Sequence, residues 1–117
     1  MEPRVTDVEV IKKKARKMAA GQVLAGGGAN IGLPLGEVQG SQVRIAAGYG
    51  SQSEEPVALP ADRLIWILDG HVDVHDKAGQ VTLVSQGEST VLLGGTAYRL
   101  VFPQLTIYLL VQAQGEE

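Results

Sequence analysis

His71, Asp73 and His75 alternate along one short stretch of the chain. Imidazole and carboxylate are together donors that a transition metal accepts. On a strand, alternate residues share a face at about 6.5–7 Å spacing, close enough for long side chains to converge. No further donor accompanies the three, so the preferred reading is a polar, solvent-facing side of an antiparallel sheet. These are the only two histidines of the chain, and their closeness on one strand argues against a nucleophilic Ser-His-Asp triad. Gly26-Gly27-Gly28 invites comparison with a phosphate-cradling loop. No Gly-Lys-Ser/Thr follows, however, and the dinucleotide-type spacing breaks at Ile31, leaving a connector or tight turn. Cysteine is absent, which removes disulfides and thiolate metal sites and fits a reducing, cytoplasmic setting.

The elements that would position any site follow from periodicity. The 117 residues suffice for one domain. Thr6-Asp7-Val8-Glu9 has the form of a capping box, with the Thr6 hydroxyl and the Glu9 carboxylate satisfying amides reciprocally. Val8, Ile11, Ala15, Met18 and Ala19 then recur at three and four, predicting an amphipathic helix over about residues 7–20 that stops at Gly21. Residues 25–36 are glycine-rich and read as a linker, so residues 1–36 form an N-terminal helix and connector. From residue 37 to 113, short runs such as RLIWILDG, VTLVSQGE, STVLLGG, TAYRLVF and LTIYLLVQ alternate with turn residues, as in an all-β sandwich or barrel. Asp76-Lys77-Ala78-Gly79 is the expected hairpin turn. A polar tail, 114–117, is expected to fray.

Charge is divided unevenly. Six of the ten basic residues lie in the first 17 positions, whereas the remainder carries ten acids against four bases. A basic helix on an acidic body can dock on that body, on a partner or on an acidic surface. The net charge of −3 argues against nucleic acid as a general partner. No apolar run is long enough to span a bilayer, and the N-terminus lacks the apolar core of a signal peptide.

Residues 87–102, G-ESTVL-L-G-G-TA-Y-RLV-F, reproduce the spacing of a signature: Gly, five residues, Pro, one, Gly, two, His, three, Asn. This resembles the second half of the cupin motif, with Leu93 for the Pro, Tyr98 for the metal-binding His and Phe102 for the Asn. Counting back from Gly70 through the first half places Arg63 at the Glu ligand. The paired His positions fall on Pro56 and Ala58, or on Val57 and Leu59 with a shorter spacer. None of these side chains suits a divalent ion, which requires three or four N, O or S donors at about 2.0–2.3 Å. Residues 38–112 further resemble the cupin domain of ethanolamine-utilisation proteins of the EutQ type. The similarity rests on Ala46-Ala47-Gly48, on Leu59, Asp62 and Leu68-Asp69-Gly70, and on Gly87-Glu88 and Gly95-Thr96. It departs at Arg63, where that family tends to carry Glu, and at Leu93.

The resemblance implies an all-β, dimeric jelly-roll barrel, preceded here by the helix, and an association with bacterial microcompartments. It places Arg63 and Tyr98 inside the barrel, with Tyr49 and Glu54 at its mouth. A buried guanidinium keeps its proton and needs an anion. Arg63 is therefore expected either to hold a carboxylate or phosphate ligand, with Tyr98 donating from across the cavity, or to form a structural ion pair with Glu54, Glu55 or Asp62. Glu54-Glu55 could act as general base or magnesium ligand, or simply form an acidic loop. Alternation puts Arg63, Ile65 and Ile67 on one face and Leu64, Trp66 and Leu68 on the other. Both faces are apolar and so expected to be covered, with Trp66 in a homodimer interface or in the monomer core. The favoured function is a metal-free, cofactor-free module that binds a small anion or acts as a scaffold, its helix contacting a microcompartment partner. The alternatives are an acetate-kinase-type enzyme, on resemblance alone, and a metal-dependent cupin using His71, His75 and nearby carboxylates.

Overall fold

The computed structural model describes residue 3 and residues 5–114; apart from Gln114, the expected polar tail lies outside them. Helix α1 (Val8–Leu24) is capped by Asp7 rather than by a Thr6–Glu9 box. The Asp7 carboxylate accepts the amides of Glu9 at 3.1 Å and Val10 at 3.4 Å, placing a negative charge at the positive end of the helix dipole. The helix continues through Gly21 for another three residues and ends where Gly26 adopts φ +102°, the left-handed conformation glycine takes without penalty. Its buried ridge is Ala15 and Ala19, both fully inaccessible, with Ile11 and Val23 packed alongside. Val8 and Met18, expected in that stripe, remain exposed.

Eight antiparallel strands follow: β1 (Ala29–Val38), β2 (Ser41–Ser51), β3 (Val57–Ala58), β4 (Arg63–Asp69), β5 (His71–Asp76), β6 (Val81–Ser85), β7 (Ser89–Leu92) and β8 (Ala97–Gln112). Residues 29–36, expected in a linker, form most of β1. Ile31, Leu33 and Leu35 alternate there and pack towards the helix, so the pattern outweighs the glycine content. The main ladder runs β1-β2-β8-β4-β7, while β8 also pairs with β3 and β5, and β6 pairs with β5. The ladder does not return to β1, so the sheet is not closed.

β8 joins two runs expected as separate strands. Its first part pairs with β3, β5 and the end of β2, its second with the rest of β2 and with β4. Between them the β2 register passes from Gly48↔Thr106 to Gly50↔Phe102. Pro103, which has no N–H to give, falls in this interruption, where a strand proline is tolerated.

Period two then gives the sheet two packed sides. Ile45, Ala47 and Ile107 face α1, whereas Ala46, Ile65, Ile67, Tyr108 and Leu110 share an inner cluster with Val72, Val74 and Phe102. Phe102 and Tyr108 stack with centroids 5.2 Å apart. Gly70, at φ +104°, links β4 to β5 so tightly that a Cβ there would stand 2.4 Å from Thr106 Oγ1. That fully buried hydroxyl accepts the His71 amide at 3.3 Å and reaches the carbonyls of His71 and Gln104, each at 3.0 Å. The hairpin at 76–79 forms as expected: the Asp76 carboxylate accepts the Gln80 amide at 2.9 Å, and Gly79 takes φ +88°.

Candidate functional site

The inner faces of β2, β4 and β8 line a cavity of about 350 Å³, at the lower end of the range for small-molecule sites. Cross-strand register sets its wall. Arg63 lies beside Gln112 and Leu92, Arg44 beside Leu110, and Tyr108 between Ala46 and Ile67. Leu59, Ala61 and Val57 close another side, with Tyr98 opposite β3.

Arg63 and Tyr98 thus line one cavity. The Arg63 Nε is buried and has no hydrogen-bond partner. The expected structural pairing with Glu54, Glu55 or Asp62 is not formed: among the described residues the ion pairs are Lys12–Glu9 and Arg16–Asp69. Asp62 instead accepts the Gly94 amide at 2.8 Å. Burial pulls the Arg63 guanidinium below its ordinary pKa; Tyr108 opposes that shift and Arg44 adds to it. A guanidinium has so wide a margin that it stays cationic at neutral pH. The Tyr108 hydroxyl is pushed up to about 12 by burial, against the pull of Arg63, so it stays protonated and able to donate.

Among the described residues, the charged side chains lining the cavity are Arg44 and Arg63, with no carboxylate. A cationic pocket is therefore set in a chain of net charge −3. Arg44 was not expected there. Its signal was a lone charge in an Ala/Gly-rich strand, at even spacing from Ala46. The Arg44 stem lies over Gly32, where a Cβ would stand 3.5 Å from Arg44 Cδ, and its guanidinium donates to Gln42 Oε1.

Tyr49 and Glu54, expected at the mouth, do not line this cavity. Tyr49 falls on the opposite phase of β2 and packs with the helix-side cluster. Glu54 is exposed, and its backbone carbonyl accepts Arg99 Nη1 at 3.2 Å. Trp66 is 47 % exposed, which removes the monomer-core alternative and shows that the outer face of β4 is not fully covered. Basic Arg16 of α1 pairs with Asp69 of the sheet, so part of the helix's charge docks on its own body. No described helix is long and apolar enough to cross a membrane.

No protein-family model matches the chain, and no curated protein does. Solved structures do. A cupin-2 domain protein from Shewanella frigidimarina superposes with TM-score 0.66 at 12% identity, covering 72% of this chain and 80% of its own. The chain has the cupin fold. The EutQ protein of Clostridium difficile gives TM-score 0.65 at 14% identity, covering 77% of this chain and 71% of its own. A Thermus thermophilus protein matches at TM-score 0.68 and 13% identity over 95% of this chain and 97% of its own. The cupin signature carries its metal on two paired His, a Glu and a third His; here Val57, Leu59, Arg63 and Tyr98 line the cavity at those four positions, as the shorter of the two spacings places them. Two aliphatic chains, a cation and a phenol do not fit a divalent ion. Nor do His71, Asp73 and His75 assemble an alternative, since no three His, Cys, Asp or Glu side chains converge among the described residues.

Proposed function

We propose that this cupin binds a small organic anion in its cavity without a metal, Arg63 taking the place of the metal as the positive centre. The observation that carries this reading is the Arg63 guanidinium, whose Nε is buried, without a partner among the described residues, and set in a pocket to which no described acid contributes. A buried donor left without a partner costs about 1–3 kcal/mol, and an entering carboxylate removes that cost. Carboxylate and guanidinium match in two parallel hydrogen bonds. The Tyr98 and Tyr108 hydroxyls supply further donors, and Leu59, Leu92 and Leu100 form an apolar wall for the rest of the ligand. Likeness to EutQ structures supports a place in ethanolamine-type, microcompartment-associated catabolism, as a homodimer that uses the exposed Trp66 face. An acetate-kinase-type activity rests on that likeness alone, since no described lining residue offers a carboxylate to a magnesium ion.

The test is a thermal-shift screen of the wild type and Arg63→Met against acetate, longer carboxylates, phosphate, acetyl phosphate, Mg-ATP and divalent metals. Ligand at a hundred times its dissociation constant stabilises by about 2.7 kcal/mol. A carboxylate shift that vanishes in Arg63→Met supports the reading. A flat screen, or a shift the variant retains, overturns it.

A further inference from the structure

The cavity holds two guanidiniums, and a single carboxylate would neutralise one of them. Arg44 lies near enough to Arg63 to help lower its proton affinity, a repulsion that a monoanion leaves half-relieved. Their positions are fixed by the strand between them. Arg44 of β2 stands beside Leu110 of β8, whereas Arg63 of β4 stands beside Gln112. The two cations thus flank β8 on opposite sides and two residues out of step. Leu110 and Gln112 of β8 lie between them on the same wall, and all four line the cavity.

We infer that the ligand is a short dicarboxylate, one carboxylate on Arg63, the other on Arg44, and an aliphatic spacer across Leu110. This deepens the anion-binding reading above and rests on it. A compact dianion such as phosphate presents all its charge at one centre and suits a single cradle of amides or a helix N-terminus. Here the two anchors rise from different strands, on either side of β8 and two residues apart along it, rather than from one cradle. Neighbouring residues also hold Arg44 in position, since Gln42 accepts from its guanidinium and Gly32 leaves room for its stem. The Gln42 contact occupies one side of the fork and leaves the rest for a ligand.

The experiment is calorimetric titration of the full chain, at constant ionic strength, with succinate, glutarate, butyrate, pentanoate and inorganic phosphate. A second charge-assisted contact of about 1.5–3 kcal/mol corresponds to roughly 10- to 100-fold. Succinate or glutarate should therefore bind at least about tenfold more tightly than the monocarboxylate of equal length. Arg44→Gln should weaken the dicarboxylate at least about tenfold more than it changes the monocarboxylate, closing most of the gap between them. Arg44→Lys, which keeps the charge, should recover part of the preference and guards against a folding defect. Equal affinity for mono- and dicarboxylates, tightest binding of phosphate, or an equal loss of both classes in Arg44→Gln overturns the inference. If butyrate binding nonetheless depends on Arg63, the anion pocket stands and only the dicarboxylate assignment falls. If none of the five binds, both fall.

Discussion

Replacing Arg63 by methionine should make the ligand-free protein more stable. The wild-type side chain buries an Nε that has no partner, and a second cation, Arg44, lowers its proton affinity further. Methionine is of similar length and keeps the stem's packing against Leu92 and the neighbouring strands while removing both penalties. Relief of one unsatisfied donor is worth about 1–3 kcal/mol. Part of the Arg63 side chain still meets solvent, so the lower half of that range, about 1–2 kcal/mol, is expected. For a domain of this size each kcal/mol moves Tm by about 4 °C. Urea unfolding of both proteins in anion-poor buffer gives the comparison directly. With saturating carboxylate the order should invert, because the wild type alone gains ligand stabilisation, a trade of stability for function. An Arg63→Met protein less stable than wild type by about 1 kcal/mol or more without ligand would show that Arg63 is a satisfied structural cation, and the reasoning would fail.

Tyr108 carries an alkaline prediction. Its folded pKa of about 12 exceeds its ordinary value of 10.0, so above pH 10 the unfolded chain releases a proton that the folded chain retains. Stability should fall by about 2–3 kcal/mol as pH rises from 10 to 12; chemical denaturation across that window should show the slope, reduced in Tyr108→Phe. Gly70→Ala forces a Cβ onto Thr106 Oγ1 at a positive φ and should cost about 2–4 kcal/mol, read as a lower urea midpoint. Asp7→Ala removes the helix cap and should cost about 1 kcal/mol, with Asp7→Asn retaining most of the stability in the same assay.

The inner wall was legible where spacing alone decides position. Arg63 and Tyr98 reach one cavity because signature gaps fix their strand phase. On β2 the phase was equally available: Arg44 and Ala46 share the cavity side, Ile45 and Ala47 the helix side. The same count puts Tyr49 on the helix side, although the irregularity between Gly48 and Gly50 interrupts the phase there. Glu54 lies in a loop, where no periodicity constrains direction. β1 was hidden by composition, since glycine and proline in ANIGLPLGEV mask the alternation of Ile31, Leu33 and Leu35. Trp66 sits in a strand apolar on both faces, and pattern cannot tell a face covered by the same chain from one that it leaves open.

β8 follows every one of its partners in sequence, and it is the strand that joins them. Before it is added, the pairings available are β1 with β2, β5 with β6, and β4 with β7, three ladders with no edge in common. A ribosome delivering this chain therefore holds Ala46, Ile65 and Val72 uncovered until residues 97–112 have emerged. The sheet then assembles by inserting one strand between edges already waiting for it. Most of its closing contacts span long stretches of sequence, which makes folding slow and leaves those edges open to other nascent chains in the interval.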